Sequence, residues 1–83
     1  MKTIVENATG LSKYIFEDDA NVVLEESMIK TPEFYIADLN SNNATLIEGV
    51  TPPEDWVGNK YTYADGVWAV SSVWVEPEVS ETV

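Results

Sequence analysis

The chain of 83 residues contains no cysteine, no histidine and no arginine. Without cysteine it has no thiolate nucleophile, no zinc–thiolate site and no disulfide. Without histidine it lacks the side chain that ordinarily titrates near neutral pH, and without arginine it lacks a bidentate partner for phosphate or carboxylate groups. These absences exclude most catalytic constellations, so we expect a protein that is not an enzyme and uses no cofactor.

Positive charge is also scarce, since four lysines stand against fifteen acidic residues and the formal net charge is −11. A surface of this sign repels phosphate backbones and offers no basic stripe that could release counterions. We therefore predict that the chain does not bind nucleic acid.

Long apolar runs are absent as well. Residues 1–6 lack the apolar core of a secretory signal, and no stretch approaches the length that spans a bilayer. We expect neither a signal peptide nor a transmembrane segment, and no membrane partner. A hydrophobic content of 45% is nevertheless enough to form one core.

Short runs rich in β-branched and aromatic residues recur between turn-forming residues, whereas helical periodicity is nearly absent. A helix over residues 21–30 is the alternative for that segment, because it contains several good helix formers. Two consecutive prolines, Pro52 and Pro53, forbid a strand ladder in residues 51–60. The runs predict strands at residues 2–6, 11–16, 21–25, 33–37, 44–50, 61–64 and from 67 onward.

The connections between these runs are too short for parallel crossovers. We predict an all-β fold, a small antiparallel meander of six or seven strands that closes into a barrel or sandwich. One domain would cover residues 1–75, and residues 76–83 would form an acidic C-terminal tail that is loose or docks on a neighbour.

The clearest local signal lies at residues 61–70, where Asp65-Gly66 separates two β-rich runs. Asp-Gly supplies the positive φ angles of a two-residue hairpin turn. Beyond the hairpin, Ser71-Ser72 is either a bend or the middle of one strand that continues to residue 75. In a continuous strand, alternation would place Trp68, Val70 and Trp74 on one face.

Adjacent carboxylates recur at Glu17-Asp18-Asp19, Glu25-Glu26 and Glu54-Asp55. Acid–base catalysis needs one carboxyl of a pair to be buried with a raised pKa while the other stays ionised, and nothing in the sequence indicates that asymmetry. Residues 17–19 with Asn21 offer the oxygens that calcium prefers, but their spacing matches no EF-hand loop. We interpret these clusters as solvated turns and predict no catalytic residue and no metal site.

Aromatic residues concentrate around the predicted hairpin. Their planar rings give a large contact area at small entropic cost, which suits a partner-binding or sugar-stacking platform, and they could equally form one wall of a small core. The candidate interaction surface consists of Trp56, Tyr61, Tyr63, Trp68, Val70 and Trp74.

Residues 50–56 and 60–68 resemble segments in short uncharacterised proteins of tailed marine phages. Tail-fibre and fibre-assembly proteins carry a Tyr-x-Tyr-x-Asp-Gly-x-x-Trp ending, and this chain has the similar sequence Tyr-x-Tyr-x-Asp-Gly-x-Trp, with Val67 alone between Gly66 and Trp68. The resemblance implies a virion-associated or assembly role without catalysis, located in the host cytoplasm or the virion. It supplies no binding residues.

Two functions are consistent with these features. The first is a non-enzymatic structural or protein-interaction module, phage-derived and virion- or assembly-associated, that binds itself as a homodimer or higher oligomer or binds another protein. The alternative is a small carbohydrate-binding module that uses exposed tryptophan and tyrosine rings. A strand that is apolar on two sides is hard for so short a chain to cover with its own elements, and this favours the first.

Overall fold

A computed structural model describes residues 1–74, and these contain eight β-strands and no helix. Every strand pair is antiparallel. The predicted all-β, antiparallel fold is therefore confirmed. The strands are β1 (Lys2–Glu6), β2 (Ser12–Phe16), β3 (Val23–Leu24), β4 (Ile29–Lys30), β5 (Tyr35–Ile36), β6 (Ala44–Ile47), β7 (Tyr61–Ala64) and β8 (Val67–Val70).

The strands form three small sheets, with the orders β2-β1-β6, β3-β4-β5 and β7-β8. The first contains a local hairpin, β1–β2, and a long-range pair, β1–β6; the second is a meander; the third is a single hairpin. The sheets of residues 1–74 do not form a closed barrel. The predicted closure of six or seven strands into a barrel or sandwich is therefore not confirmed, and residues 1–74 contain eight strands.

The core lies between the two three-stranded sheets. Ile4 of β1 and Ala44 of β6 meet Ile29 of β4 and Ile36 of β5, and all four side chains are buried. Val22 and Leu39, in the connections that flank the second sheet, complete this cluster. No residue of the β7–β8 hairpin belongs to it, so the hairpin is held by other contacts.

The second sheet corrects the sequence prediction for residues 21–30. The helical alternative is wrong, because the segment forms the hairpin β3–β4, closed by a hydrogen bond from the Glu25 amide to the Met28 carbonyl (2.8 Å). Strand β4 was not predicted, and β3, β5 and β6 are shorter than the predicted runs. Burial of Ile29 explains the outcome, since a β-branched side chain in a strand packs well on a pleated surface.

Residues 51–60 contain no strand, as their prolines predicted. Within residues 1–74 there is also no helix long and apolar enough to cross a membrane. The predicted C-terminal tail, residues 76–83, lies outside the described part of the chain.

Candidate interaction surface

The β7–β8 hairpin turns at Asp65 and Gly66, which have φ angles of 52° and 81°. Positive φ at both central residues defines the type I′ turn, whose twist matches that of the flanking strands. The predicted Asp-Gly hairpin is confirmed, with both strands at the predicted positions.

One face of this hairpin carries four of the six residues of the candidate surface. In the register of the ladder, Tyr63 lies opposite Trp68 and Tyr61 lies opposite Val70, so alternation places all four side chains on the same side. The Trp68 ring contacts both tyrosines, with centroid distances of 4.6 Å to Tyr63 and 6.3 Å to Tyr61. We call Tyr61, Tyr63, Trp68 and Val70 the aromatic face.

The inner edge of the hairpin, β7, is attached to the first sheet. Leu11 forms an isolated antiparallel bridge with Thr62, and the Tyr63 amide donates to the Gly10 carbonyl (3.0 Å). The Asn59 amide donates to the Ser12 carbonyl (3.1 Å) just before β7 begins. Backbone hydrogen bonds thus attach the hairpin to the start of β2 and to the residues just before it.

The outer edge, β8, pairs with no other strand of residues 1–74. Ala64 and Val67 flank the two-residue turn and form a hydrogen-bonded pair. Hydrogen-bonded and non-hydrogen-bonded pairs alternate along an antiparallel ladder, so the pairs that contain Trp68 and Val70 are non-hydrogen-bonded. It follows that the N–H and C=O groups of Trp68 and Val70 point away from β7. This strand presents the template that an added strand would use.

The edge strand is apolar on both faces. Val67 is 62% exposed on one side and Val70 is 53% exposed on the other. Residues 61–70 contain a single charged side chain, Asp65, at the tip of the turn. In a chain with a net charge of −11, the hairpin strands are conspicuous for carrying no charge.

Trp74 does not join the aromatic face, which corrects the continuous-strand interpretation. Strand β8 ends at Val70, and a turn follows in which the Trp74 amide donates to the Ser71 carbonyl (3.1 Å). The alternation of side chains is lost at this turn, and Trp74 lines a groove that Trp56 also lines. Val73, within the turn, is 77% exposed.

The Trp56 side chain is half-buried and is held by a hydrogen bond to the first sheet. Its indole N–H donates to the Ser12 hydroxyl (2.9 Å), which lies 2.6 Å from the Thr3 hydroxyl, and Thr3 donates to the Tyr14 carbonyl (2.9 Å). The indole N–H can only donate, so Ser12 accepts from Trp56. The Thr3 hydroxyl proton is used in the bond to the Tyr14 carbonyl, so the Ser12 hydroxyl must be the donor in its bond with Thr3. Ser12 and Thr3 are both fully buried, and this chain of bonds ties the irregular segment to the first sheet.

Trp56 and Trp74 line a groove of about 580 Å³ together with residues 54, 55, 57, 58 and 60. On its rim, Asp55 accepts hydrogen bonds from Lys60 Nζ (2.9 Å) and from the Tyr61 hydroxyl (2.8 Å). These bonds, that from Lys60 first, lower the pKa of Asp55 below its ordinary value. The groove, which we call the Trp56 groove, therefore borders the aromatic face at Tyr61.

The acidic clusters lie at the protein surface. None of the aspartates and glutamates among residues 1–74 is buried, and the N-terminal ammonium, 2.7 Å from Asp18, lowers the pKa of that carboxyl. No three His, Cys, Asp or Glu side chains in the described residues are grouped so that they could hold a metal ion.

A second aromatic site was not found by sequence reasoning. Tyr14, Phe16 and Phe34 have ring centroids about 6 Å apart, between 5.9 and 6.2 Å, and Phe34 and Tyr35 are 42% and 68% exposed. Pro32 immediately precedes the predicted strand at residues 33–37. A Thr-Pro pair is also a turn signal, and this turn is what projects Phe34.

The comparisons with known proteins add no relative. No family model matches the chain, and neither the curated proteins nor the solved structures gave a match.

Proposed function

We propose that this protein is a non-enzymatic interaction module that associates with a second copy of itself through the β7–β8 hairpin. The observation that carries the proposal is the outer edge of β8, where backbone groups of Trp68 and Val70 point outward and the flanking valines are exposed. Natural proteins protect edge strands with charges, prolines or bulges, and β8 contains none of these.

A second copy is the partner that this edge suits best. Two β8 strands that pair antiparallel about a twofold axis would repeat one self-complementary patch on both subunits. The aromatic faces would then continue from one hairpin into the other, with Trp68 close to the axis. Because the strands are uncharged, the repulsion between two chains of net charge −11 acts only at longer range.

The resemblance of the Tyr-x-Tyr-x-Asp-Gly-x-Trp hairpin to tail-fibre and fibre-assembly proteins supports a role in the virion or in its assembly. Strand pairing between identical subunits is compatible with such a role. The biological setting of the module in a tailed phage is part of this proposal.

Sedimentation equilibrium at low and high salt tests the proposal with two matched variants. Val70→Glu adds one carboxylate on the outer edge of β8, whereas Val57→Glu adds one on the irregular segment, where Val57 is 44% exposed and Val70 is 53% exposed. We expect the wild-type chain and Val57→Glu to dimerise, more strongly at high salt, and Val70→Glu to stay monomeric. A monomeric wild-type chain at high concentration in both salts would refute the proposal, and so would undiminished dimerisation of Val70→Glu.

A carbohydrate-binding module is the second candidate, and the Trp56 groove is the observation that favours it. Two tryptophans beside the carboxylates of Glu54 and Asp55 combine stacking surface with hydrogen-bond acceptors. If a sugar stacks there, an oligosaccharide panel should change the tryptophan emission of the wild-type chain. The response should be lost in Trp74→Ala, and silence across the panel would remove this candidate.

A further inference from the structure

A groove of about 430 Å³ lies on a part of the surface remote in sequence from the hairpin. Phe16, at the end of β2, and Phe34 form apolar walls, with Ile15 and Ala20 also in the lining. The Thr31–Phe34 turn holds one wall in place, because the Thr31 hydroxyl donates to the Phe34 carbonyl (2.6 Å) and accepts from the Phe34 amide (3.0 Å). We call this site the phenylalanine groove.

Three carboxylates line the phenylalanine groove, those of Glu17, Asp19 and Glu33. None of them forms an ion pair within residues 1–74. Two positive groups lie beside the groove: the N-terminal ammonium of Met1, which pairs with Asp18 (2.7 Å), and Lys2 Nζ, which donates to the neutral Ala20 carbonyl (2.7 Å) and keeps its charge. The groove thus combines an apolar interior with a rim on which three carboxylates outnumber the one ammonium, that of Lys2, that no carboxylate pairs with.

The complement of this site is a cation attached to an apolar side chain. Basic side chains would pair with the rim carboxylates, and their stems or a neighbouring aromatic ring would pack between the two phenylalanines. Phe34 is also 42% exposed, and an aromatic ring attracts a cation that lies over its face. The volume is of the size that holds one or two side chains rather than a whole domain.

A second copy of this chain is a poor source of that cation. Of its four lysines, Lys2 binds the Ala20 carbonyl, Lys30 pairs with Glu25 (3.4 Å) and Lys60 pairs with Asp55 (2.9 Å). That leaves Lys13, whose ammonium has no hydrogen-bond or ion-pair partner among the described residues. A different protein, rich in lysine or arginine, fits the charge far better.

From this charge complementarity we propose that the phenylalanine groove binds a basic peptide segment of a partner protein, one in which lysine or arginine residues flank an aromatic or aliphatic side chain. The site shares no residue with β7–β8, so this inference does not depend on self-association. The two contacts also respond to salt in opposite directions, since ion pairing at the groove rim weakens as salt rises.

Fluorescence anisotropy with two labelled pentapeptides tests the proposal. The probe is Lys-Phe-Lys-Leu-Lys, and Lys-Ser-Lys-Ser-Lys has the same charge without the apolar side chains. The protein is used as wild type, as Glu17→Gln/Glu33→Gln, and as the control Glu26→Gln/Glu48→Gln. Both double variants remove two exposed carboxylates, but only the first pair lines the groove.

We expect the wild-type chain to bind the apolar probe more tightly than the serine peptide. The groove variant should weaken binding about fivefold or more and the control less than about twofold, because each rim pair contributes modestly. Equal weakening by both variants would mean that the probe senses only net charge, which overturns the proposal. Equal affinity for the two peptides, or no binding, would overturn it as well, as would a groove variant that loses self-association instead.

Discussion

The indole of Trp56 holds the proline-rich segment against the first sheet through one hydrogen bond to Ser12 (2.9 Å). Because Ser12 is fully buried, its hydroxyl cannot find water if the indole N–H is lost. A buried polar group left with an unmet bond costs about 1–3 kcal/mol. The residue that sequence reasoning placed on an interaction surface therefore has a structural role as well.

Replacing Trp56 by phenylalanine keeps an aromatic ring and removes the N–H donor. We expect Trp56→Phe to lower the free energy of unfolding by about 1–2 kcal/mol, as measured by urea titration. In a Ser12→Ala background the same replacement should cost less, because the acceptor is already gone. Equal costs in the two backgrounds would show that the bond contributes nothing, and that ring packing alone explains the loss.

Asp55 provides a pH-dependent contact between the irregular segment and β7. The hydrogen bond from Lys60, and then that from Tyr61, lower its pKa in the folded state. A carboxyl whose pKa is lower when folded stabilises the protein above its unfolded pKa, about 3.9, and loses that contribution as pH falls through the folded value. The stability difference between the wild-type chain and Asp55→Asn should therefore be constant near neutral pH and shrink below about pH 4.

The same pKa can be observed directly by NMR titration of the Asp55 carboxyl carbon. Lys60→Met removes the ammonium and keeps most of the apolar stem, so the pKa should rise toward its ordinary value. Lys13→Met is the control, because neither hydrogen bond to Asp55 comes from Lys13. A pKa that does not respond to Lys60→Met would contradict the assigned cause.

Among the structural elements, those with strong local signals were predicted well. Strands β1 and β7 have the predicted bounds and β8 begins at the predicted residue, since Asp65-Gly66 fixes both the turn and the register. Residues 39–43 also predict a loop, because asparagine and serine side chains bond their own backbone, and Asn40 Oδ1 indeed accepts bonds from the amides of Asn42 (2.9 Å) and Asn43 (3.2 Å). In each case the information lies within a few residues.

The elements that sequence reasoning missed depend on contacts between distant residues. β4 has only two residues, and what selects a strand there is the packing of Ile29 against Ile4 and Ala44 in the core. Leu39 was placed in a loop by its neighbours, yet it is only 3% exposed because the loop folds over the second sheet. No local pattern encodes these outcomes.

The candidate site divides in the same way. Alternation within the hairpin correctly grouped Trp68 with Val70, and the structure places Tyr61 and Tyr63 opposite them. The turn at Ser71 separated Trp74 from this group, and a bond across 44 residues removed Trp56 from it. The phenylalanine groove joins β2 to a turn beyond β4, and so could not be recognised from either segment alone.

At the scale of the molecule, negative charge dominates. The described part of the chain has three ion pairs, all involving carboxylates at least 41% exposed, and such pairs contribute little. Fifteen acidic groups on a chain with a radius of gyration of 13.6 Å repel one another at distances comparable to the screening length. The folded state therefore carries an electrostatic cost that the unfolded chain, being more expanded, avoids in part.

Salt should reduce this cost. We expect the free energy of unfolding to rise by an amount on the order of 1 kcal/mol between low and physiological ionic strength, because screening shortens the repulsion more than it weakens three exposed pairs. Urea titrations in sodium chloride and potassium chloride should agree, since screening depends on ionic strength and not on the ion. They are run at low protein concentration, so that association does not add to the apparent stability.

The control is Glu26→Gln/Glu48→Gln, which lowers the net negative charge and should be more stable than the wild-type chain at low salt, with a smaller salt response. A stability that is flat or falls with salt would mean that the exposed ion pairs outweigh the repulsion, and the excess of acid would then have no cost to the fold.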